Sequence, residues 1–158
     1  MRRGIVPVGT RGASGYAYRL PTDGAVRGVH VRAGADGAPS SIVGFATVWN
    51  RYSLNLGGFV EQFAPGAFDR SIDDDDQVAT FNHDDRMILG RRSAETLVVA
   101  SGGSGLEYKI SVDAGQTDHM NVARKIDRGD VVGSSFTFDP LPDGMSWSYT
   151  GQDMLLCT

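Results

Sequence analysis

The chain has 158 residues, 41% hydrophobic and 22% charged, and this ordinary balance excludes a fibrous or disordered protein and suits one domain. The formal net charge of −4 offers no general attraction to phosphate, so no nucleic acid is expected as a partner. No apolar run approaches the ~20 residues that span a bilayer, so no membrane partner is expected. The single cysteine, Cys157, excludes an internal disulfide and suits a reducing compartment.

The N-terminal residues 1–40 are rich in Gly, Ala and Arg, which predicts a weakly ordered arm with at most two weak strands near residues 25–32. Apolar residues become denser at Ile42, where "IVGFATVWN" predicts a buried strand that ends at Asn50. We therefore expect the folded domain to span residues 41–158.

Short strands separated by turn signals follow. "GFVEQF" (58–63) has the alternation of a strand, and Pro65 predicts the entry of a short helix in "APGAFDRSI". "ETLVVA" and "GLEYKISV" flank the glycine-rich residues 102–105, which can supply the positive φ angles of a tight turn. These two segments predict a β-hairpin.

The longest predicted helix is "TDHMNVARKIDRG", capped by Thr117 or Asp118 and ended by Gly129. The strand "VVGSSFTF" follows it. Many short strands with one or two helices predict a strand-rich α+β domain, either a barrel or a sandwich. The final "WSYTGQDMLLCT" stops within an apolar stretch, which leads us to expect a domain without its last strands.

His83, in "ATFNHDDRM", is the first candidate for chemistry. A histidine can act as a general base near neutral pH, and a neighbouring carboxylate can orient it. Asp84 and Asp85 follow it directly. From these residues alone, an ordinary imidazole on a charged, solvated loop is the favoured interpretation.

The serine pair in "GDVVGSSFTFD" is the second candidate. A serine becomes a nucleophile when a base accepts its proton and donors stabilise the oxyanion. Ser134 and Ser135 depart from the G-x-S-x-G elbow, because Thr137 stands where the last glycine belongs. From these residues alone, an ordinary strand serine is the favoured interpretation.

Metal chemistry has little support in the sequence. The aspartates 73–76 lack the alternating ligands and central glycine of a calcium loop, and His83, Asp84, Asp85 and His119 lack the spacing of known zinc motifs. No metal and no cofactor are expected. His30 and His119 are most simply structural.

Several segments together resemble the Hong Kong 97 type prohead (head maturation) proteases of tailed phages, over roughly residues 42–139. They are, in chain order, "GFATVWN", "GGFVEQFAPGAFDRSI", "QVATFNHDDRMILGR", "ETLVVA", "GLEYKISV" and "KIDRGDVVGSSFTF". The family is distantly similar to herpesvirus assemblin, so the resemblance implies an assemblin-like β-barrel with one or two packed helices.

The resemblance also implies a serine endopeptidase that cleaves capsid or scaffolding protein inside the assembling prohead, in the host cytoplasm. Ser135 takes the place of the family's nucleophile and His83 that of its base. The family's third residue is a glutamate in a strand beyond the serine, in a segment that this sequence does not reach. Asp84 and His119 are poorly placed substitutes, since Asp84 adjoins His83 and His119 precedes the serine on a helix.

Backbone donors of an oxyanion hole leave no side-chain signature, but Gly133 and Arg91, with Gly90 and Arg92, are the places to look. The substrate is expected to be the major capsid protein, a scaffolding protein or both. Self-cleavage and a homo-oligomer stay open. Two other hypotheses are an incomplete relative that binds capsid subunits without cutting them, and a metal-dependent hydrolase using His83, Asp84 and Asp85.

Overall fold

Most of the regular structure in this chain is β-strand. The computed structural model describes residues 4–8, 28–53, 58–139, 144–149 and 155–157, which contain eleven strands and two helices. The strands are β1 (Gly4–Val8), β2 (Val29–Ala33), β3 (Pro39–Val48), β4 (Phe59–Glu61), β5 (Val78–Thr80), β6 (Ile88–Arg91), β7 (Leu97–Ser101), β8 (Gly105–Ser111), β9 (Gly133–Phe136), β10 (Trp147–Tyr149) and β11 (Leu155–Cys157). The helices are α1 (Asp69–Asp74) and α2 (Thr117–Asp127). The predicted strand-rich α+β class is confirmed.

The strands form three sheets. Their orders are β2-β3-β8-β7, β6-β5-β1-β9 and β10-β11-β4. Each sheet keeps two outer strands, so the described residues form no closed barrel. The assemblin-like barrel expected from the resemblance is therefore not found in this part of the chain.

The β2-β3-β8-β7 sheet is antiparallel throughout and forms the largest layer. β3 is its longest strand and pairs with β8 from Ser41 opposite Ser111 to Val48 opposite Gly105. β2 pairs with the other edge of β3. β2 thus lies before residue 41, where the folded domain was expected to begin, and most of its partner β3 lies after it. The domain boundary itself stays a prediction.

The predicted hairpin is confirmed as β7 and β8, but the reason given for its glycines is wrong. Gly102 and Gly105 are joined by a backbone hydrogen bond of 2.9 Å, and neither has a positive φ. A Cβ on Gly105 would instead collide with the Thr47 carbonyl oxygen on β3, and one on Gly102 would meet the Glu107 carboxyl. The close Thr47 backbone therefore requires glycine at position 105, whereas the flexible Glu107 side chain could move away from a Cβ at position 102.

Helix α2 covers β2 and β3 with its apolar face. Its buried residues are His119, Val122, Ala123 and Ile126. Gly129 ends it with a φ of 80° and donates a hydrogen bond to the Ile126 carbonyl, as predicted. The predicted cap is wrong by one or two residues, because Gln116 occupies the N-cap position.

An aromatic cluster connects the sheets behind β9. Phe136 of β9 contacts Phe63, just after β4, with ring centroids 5.4 Å apart, and contacts Phe68 at 5.3 Å. Phe138 lies 5.1 Å from Phe63. Trp49, just after β3, stacks on Phe68 at 6.2 Å. The two phenylalanines that follow Ser135 therefore anchor its strand in the core, as the alternation predicted.

Candidate active site

The two serines of strand β9 contact different neighbours. Successive side chains of a strand point to opposite faces, so Ser134 and Ser135 cannot share an environment. The Ser134 hydroxyl lies 2.5 Å from the Tyr108 hydroxyl of β8, and both residues are buried. Ser135 faces the other way, toward the loop that follows β5. Both serines are buried, and the structure thus separates one that is hydrogen-bonded to Tyr108 from one that is hydrogen-bonded to His83.

That loop, residues 81–87, presents His83. Its ends are tied by the Phe81 N–H bonded to the Met87 carbonyl at 2.9 Å, and the Lys125 ammonium of α2 lies 5.2 Å from the centre of the Phe81 ring. Asn82 and His83 have φ angles of 55° and 56°. Two consecutive non-glycine residues in the left-handed region are uncommon and occur chiefly where the surroundings enforce them.

The two candidates from the sequence meet at this point. His83 Nε2 lies 2.5 Å from Ser135 Oγ, across 52 residues of chain. Ser135 is 0% exposed, whereas His83 lies at the surface. A neutral imidazole whose Nε2 carries the lone pair can accept the serine proton directly in this geometry.

The electrostatics favour the neutral form of the base. Burial of part of the ring lowers the pKa of His83, and no carboxylate in the described ranges raises it. The side chain of Asp84 is engaged elsewhere, because Arg86 donates to it from its backbone N–H at 3.0 Å and from two guanidinium nitrogens. Those bonds lower the pKa of Asp84 and hold the loop's shape. Asp84 therefore stabilises the loop that carries His83 rather than orienting the ring.

The remaining histidines have other surroundings. His119 is buried on α2, and its Nδ1 accepts a hydrogen bond of 3.1 Å from the Asp113 backbone N–H. That bond joins the helix to the end of β8. His30 is an exposed residue of β2. Neither makes a contact with Ser135 in the described structure.

The residues considered as oxyanion donors have different surroundings. Gly133 begins β9 and lies two residues before Ser135, opposite Val8 of β1. The Arg91 guanidinium is bonded to Asp76 at 2.7 Å, and Arg92 donates to the backbone carbonyls of Asp73 and Asp75. Both arginines thus connect the end of β6 to the last turn of α1 and the residues that follow it.

The aspartate run also has a structural use. Asp76 accepts hydrogen bonds from Arg91 and from the Ser93 N–H and hydroxyl. Among the described residues, no three His, Cys, Asp or Glu side chains come together as a metal site.

Comparison with protein-family models identifies the family. The model described as the caudovirus prohead serine protease matches residues 28–157. The chain belongs to this family of phage serine proteases. The resemblance drawn from the motifs is confirmed, and the match extends it at both ends. No curated protein and no solved structure gives a match.

Two residues of this prohead protease carry no sequence signal that marks their roles. Tyr108 is a buried residue between the exposed Glu107 and Lys109 of β8, a pattern typical of an ordinary core residue, although its hydroxyl is hydrogen-bonded to Ser134. Glu61 reads as a polar strand position but is 5% exposed, and burial raises its pKa to about 7. Only the three-dimensional neighbourhood reveals either one.

No helix in the described parts of the chain is long and apolar enough to cross a membrane.

Proposed function

We propose that this family member is an endopeptidase in which Ser135 is the nucleophile and His83 the general base. The observation that carries the proposal is the 2.5 Å separation of His83 Nε2 and Ser135 Oγ. The buried partner of Ser134 supports the choice between the two serines, because Ser134 is bonded to Tyr108 in the core.

The reaction follows from that pair. Ser135 Oγ attacks the carbonyl carbon of the scissile peptide bond while His83 Nε2 accepts the hydroxyl proton. The imidazolium then gives this proton to the departing amine, and water repeats the sequence to release the acyl group. Backbone N–H groups close to the carbonyl oxygen of the scissile bond would stabilise the oxyanion. The N–H of Gly133 is our candidate for one of them. Arg91 is a weaker candidate because Asp76 holds its guanidinium.

The substrates in this proposal are the major capsid protein, a scaffolding protein or both, cleaved inside the assembling prohead in the host cytoplasm. The support is membership of the caudovirus prohead serine protease family. Cleavage of the chain itself and a homo-oligomer belong to the same proposal. The assemblin-like barrel stays a prediction.

The test is co-expression with the capsid and scaffolding proteins of the same phage. Ser135→Ala is expected to abolish the cleaved products, and His83→Ala to reduce them by several orders of magnitude. Thr137→Ala, which removes an exposed hydroxyl two residues from Ser135, is the matched control and should cleave normally. Undiminished cleavage by Ser135→Ala protein would disprove the assignment.

A second candidate function is a capsid-binding module that does not cut. Its support is the pKa of His83, which only burial shifts, so no described carboxylate orients or stabilises its imidazolium. Under this alternative, purified protein co-sediments with capsid subunits, and Ser135→Ala changes neither binding nor head assembly. The same co-expression therefore separates the two functions.

A further inference from the structure

Strand β1 lies in the middle of the sheet that holds the candidate pair. It runs parallel to β5, with Ile5 opposite Ala79, and antiparallel to β9, with Val6 opposite Ser135. β5 leads into the loop of His83, and β9 carries Ser135. In the described sheet order, β1 is what joins these two strands.

This central strand comes from outside the family domain. The family match begins at residue 28, whereas β1 comprises Gly4–Val8. Without β1, β5 and β9 would each present an unpaired edge to a gap one strand wide. Such edges bind extended peptides through backbone hydrogen bonds.

Something must also move before a substrate reaches the nucleophile. Ser135 is 0% exposed, so a peptide carbonyl has no route to its Oγ in this arrangement. On one side of Ser135 lies the loop of residues 81–87, which is tied by its own hydrogen bonds and supplies the base. Beside Ser135 in the sheet lies β1, with Val6 opposite it.

The length and composition of β1 are unfavourable for a central strand of a sheet. It is five residues long and contains Pro7, which has no N–H to donate to a neighbouring strand. Proline is normally confined to the edges of sheets for that reason. Gly4 further lowers the strand's intrinsic stability. A short internal strand of this composition is suited to being displaced.

We propose that the gap between β5 and β9 is a binding site for an extended peptide strand, which residues 4–8 occupy as an internal competitor of the substrate. An incoming strand takes the same directions, parallel to β5 and antiparallel to β9, and passes beside Ser135. The consequence for cleavage rests on the proposed function, since it requires Ser135 to be the nucleophile. The peptide-binding site itself does not.

Binding is tested first, without chemistry, in full-length Ser135→Ala protein. The probe is a fluorescein-labelled synthetic peptide with the sequence of residues 1–10, MRRGIVPVGT, and its anisotropy reports binding. Val6→Gly weakens the internal strand and should tighten peptide binding by roughly 3-fold or more, because a larger fraction of molecules has the gap open. Pro7→Val restores a donor and β-propensity and should weaken binding.

The matched control is Val98→Gly, which loosens an exposed position of the outer strand β7 in another sheet. It should leave peptide binding unchanged. Absence of saturable binding in all variants, or an equal effect of Val98→Gly, overturns the proposal. If Val6→Gly fails to fold, the Pro7→Val comparison decides alone.

Activity separates this proposal from the previous one. With Ser135 intact, Val6→Gly should cleave the capsid substrate faster than the parent chain, and Pro7→Val more slowly. If β1 instead holds the pair in place as a permanent strand, the order is reversed. Peptide binding in the expected order with no cleavage by any variant would remove the proposed function and leave the binding site.

Discussion

At the scale of single residues, the pKa of His83, the proposed general base, should set the pH dependence of cleavage. A general base must be unprotonated, and burial lowers the pKa of this imidazole from its ordinary value of 6.5. The rate should therefore rise with pH through a midpoint below 6.5 and be constant at neutral pH. The measurement is kcat/KM for a capsid-derived peptide against pH, which reports the free enzyme.

The control for this profile is circular dichroism at each pH, which excludes acid unfolding as the cause. A midpoint clearly above 6.5 would show that a carboxylate stabilises the imidazolium in the working enzyme. That result would direct the search for the third residue beyond the described ranges.

Tyr108 and Ser134 form the second residue-scale unit. Either Tyr108→Phe or Ser134→Ala leaves a buried hydroxyl without its partner, which should cost about 1–3 kcal/mol in the free energy of unfolding. The double variant should cost less than the sum of the two, because no orphaned hydroxyl remains. Urea unfolding measures all three. Each folded variant should keep Ser135-dependent cleavage, and loss of cleavage in Ser134→Ala alone would contradict the division of roles.

The sequence predicts a good part of this local picture. Alternation along β9 is enough to place Phe136 and Phe138 in the core, and the motif match points to Ser135 rather than Ser134. The left-handed backbone at Asn82 and His83 could not be predicted, because it depends on loop closure between Phe81 and Met87. The engagement of Asp84 by Arg86 likewise needs the loop's shape.

At the scale of elements, strand β4 carries a buried glutamate whose titration should make the stability of the protein depend on pH. Glu61 is 5% exposed, its Oε1 has no hydrogen-bond partner among the described residues, and its pKa is raised from 4.5 to about 7. The folded state thus holds this proton more tightly than the unfolded chain. Stability from this group is present below pH 4.5 and is lost as the pH rises through about 7.

Glu61→Gln removes the ionisable carboxyl and should therefore remove the loss of stability at high pH. The variant should unfold at higher urea than the parent at about pH 8, with a gain of at most about 3 kcal/mol, and the gain should shrink toward about pH 5. Glu107→Gln, on an exposed position of β8, is the matched control and should show no such trend. A gain independent of pH would show that the Glu61 carboxyl is already neutral or partnered at both pH values.

The elements that sequence predicts best are those whose signals are local. Helix α2 has its apolar face and terminal glycine within 13 residues of chain, and the β7–β8 hairpin has its turn between its strands. β1 had no such signal. Its pairing with β5 and β9 depends on contacts more than 70 residues away, where local propensity carries no information.

At the scale of the whole molecule, the site is a product of topology. Ser135 lies on β9 and His83 in the loop between β5 and β6 of the same β6-β5-β1-β9 sheet, whereas Ser134 is hydrogen-bonded to Tyr108 of the β2-β3-β8-β7 sheet. β9 thus stands between two layers, with chemistry on one face and the core on the other. No spacing rule in the sequence gives that placement, and only the resemblance to the prohead proteases pointed to the pairing of His83 with Ser135.

The aromatic cluster is what holds this arrangement together, and Phe63 is its centre. Phe63 contacts Phe68, Phe136 and Phe138, so it connects β4 to β9. Phe63→Ala should lower the free energy of unfolding by about 3–5 kcal/mol, as truncation of a buried phenylalanine commonly does. Urea unfolding followed by circular dichroism measures the loss. Phe59→Ala is the matched control, because Phe59 lies on β4, shortly before Phe63, but contacts the exposed Trp147. An equal cost for the two variants would show that the cluster does not couple the sheets.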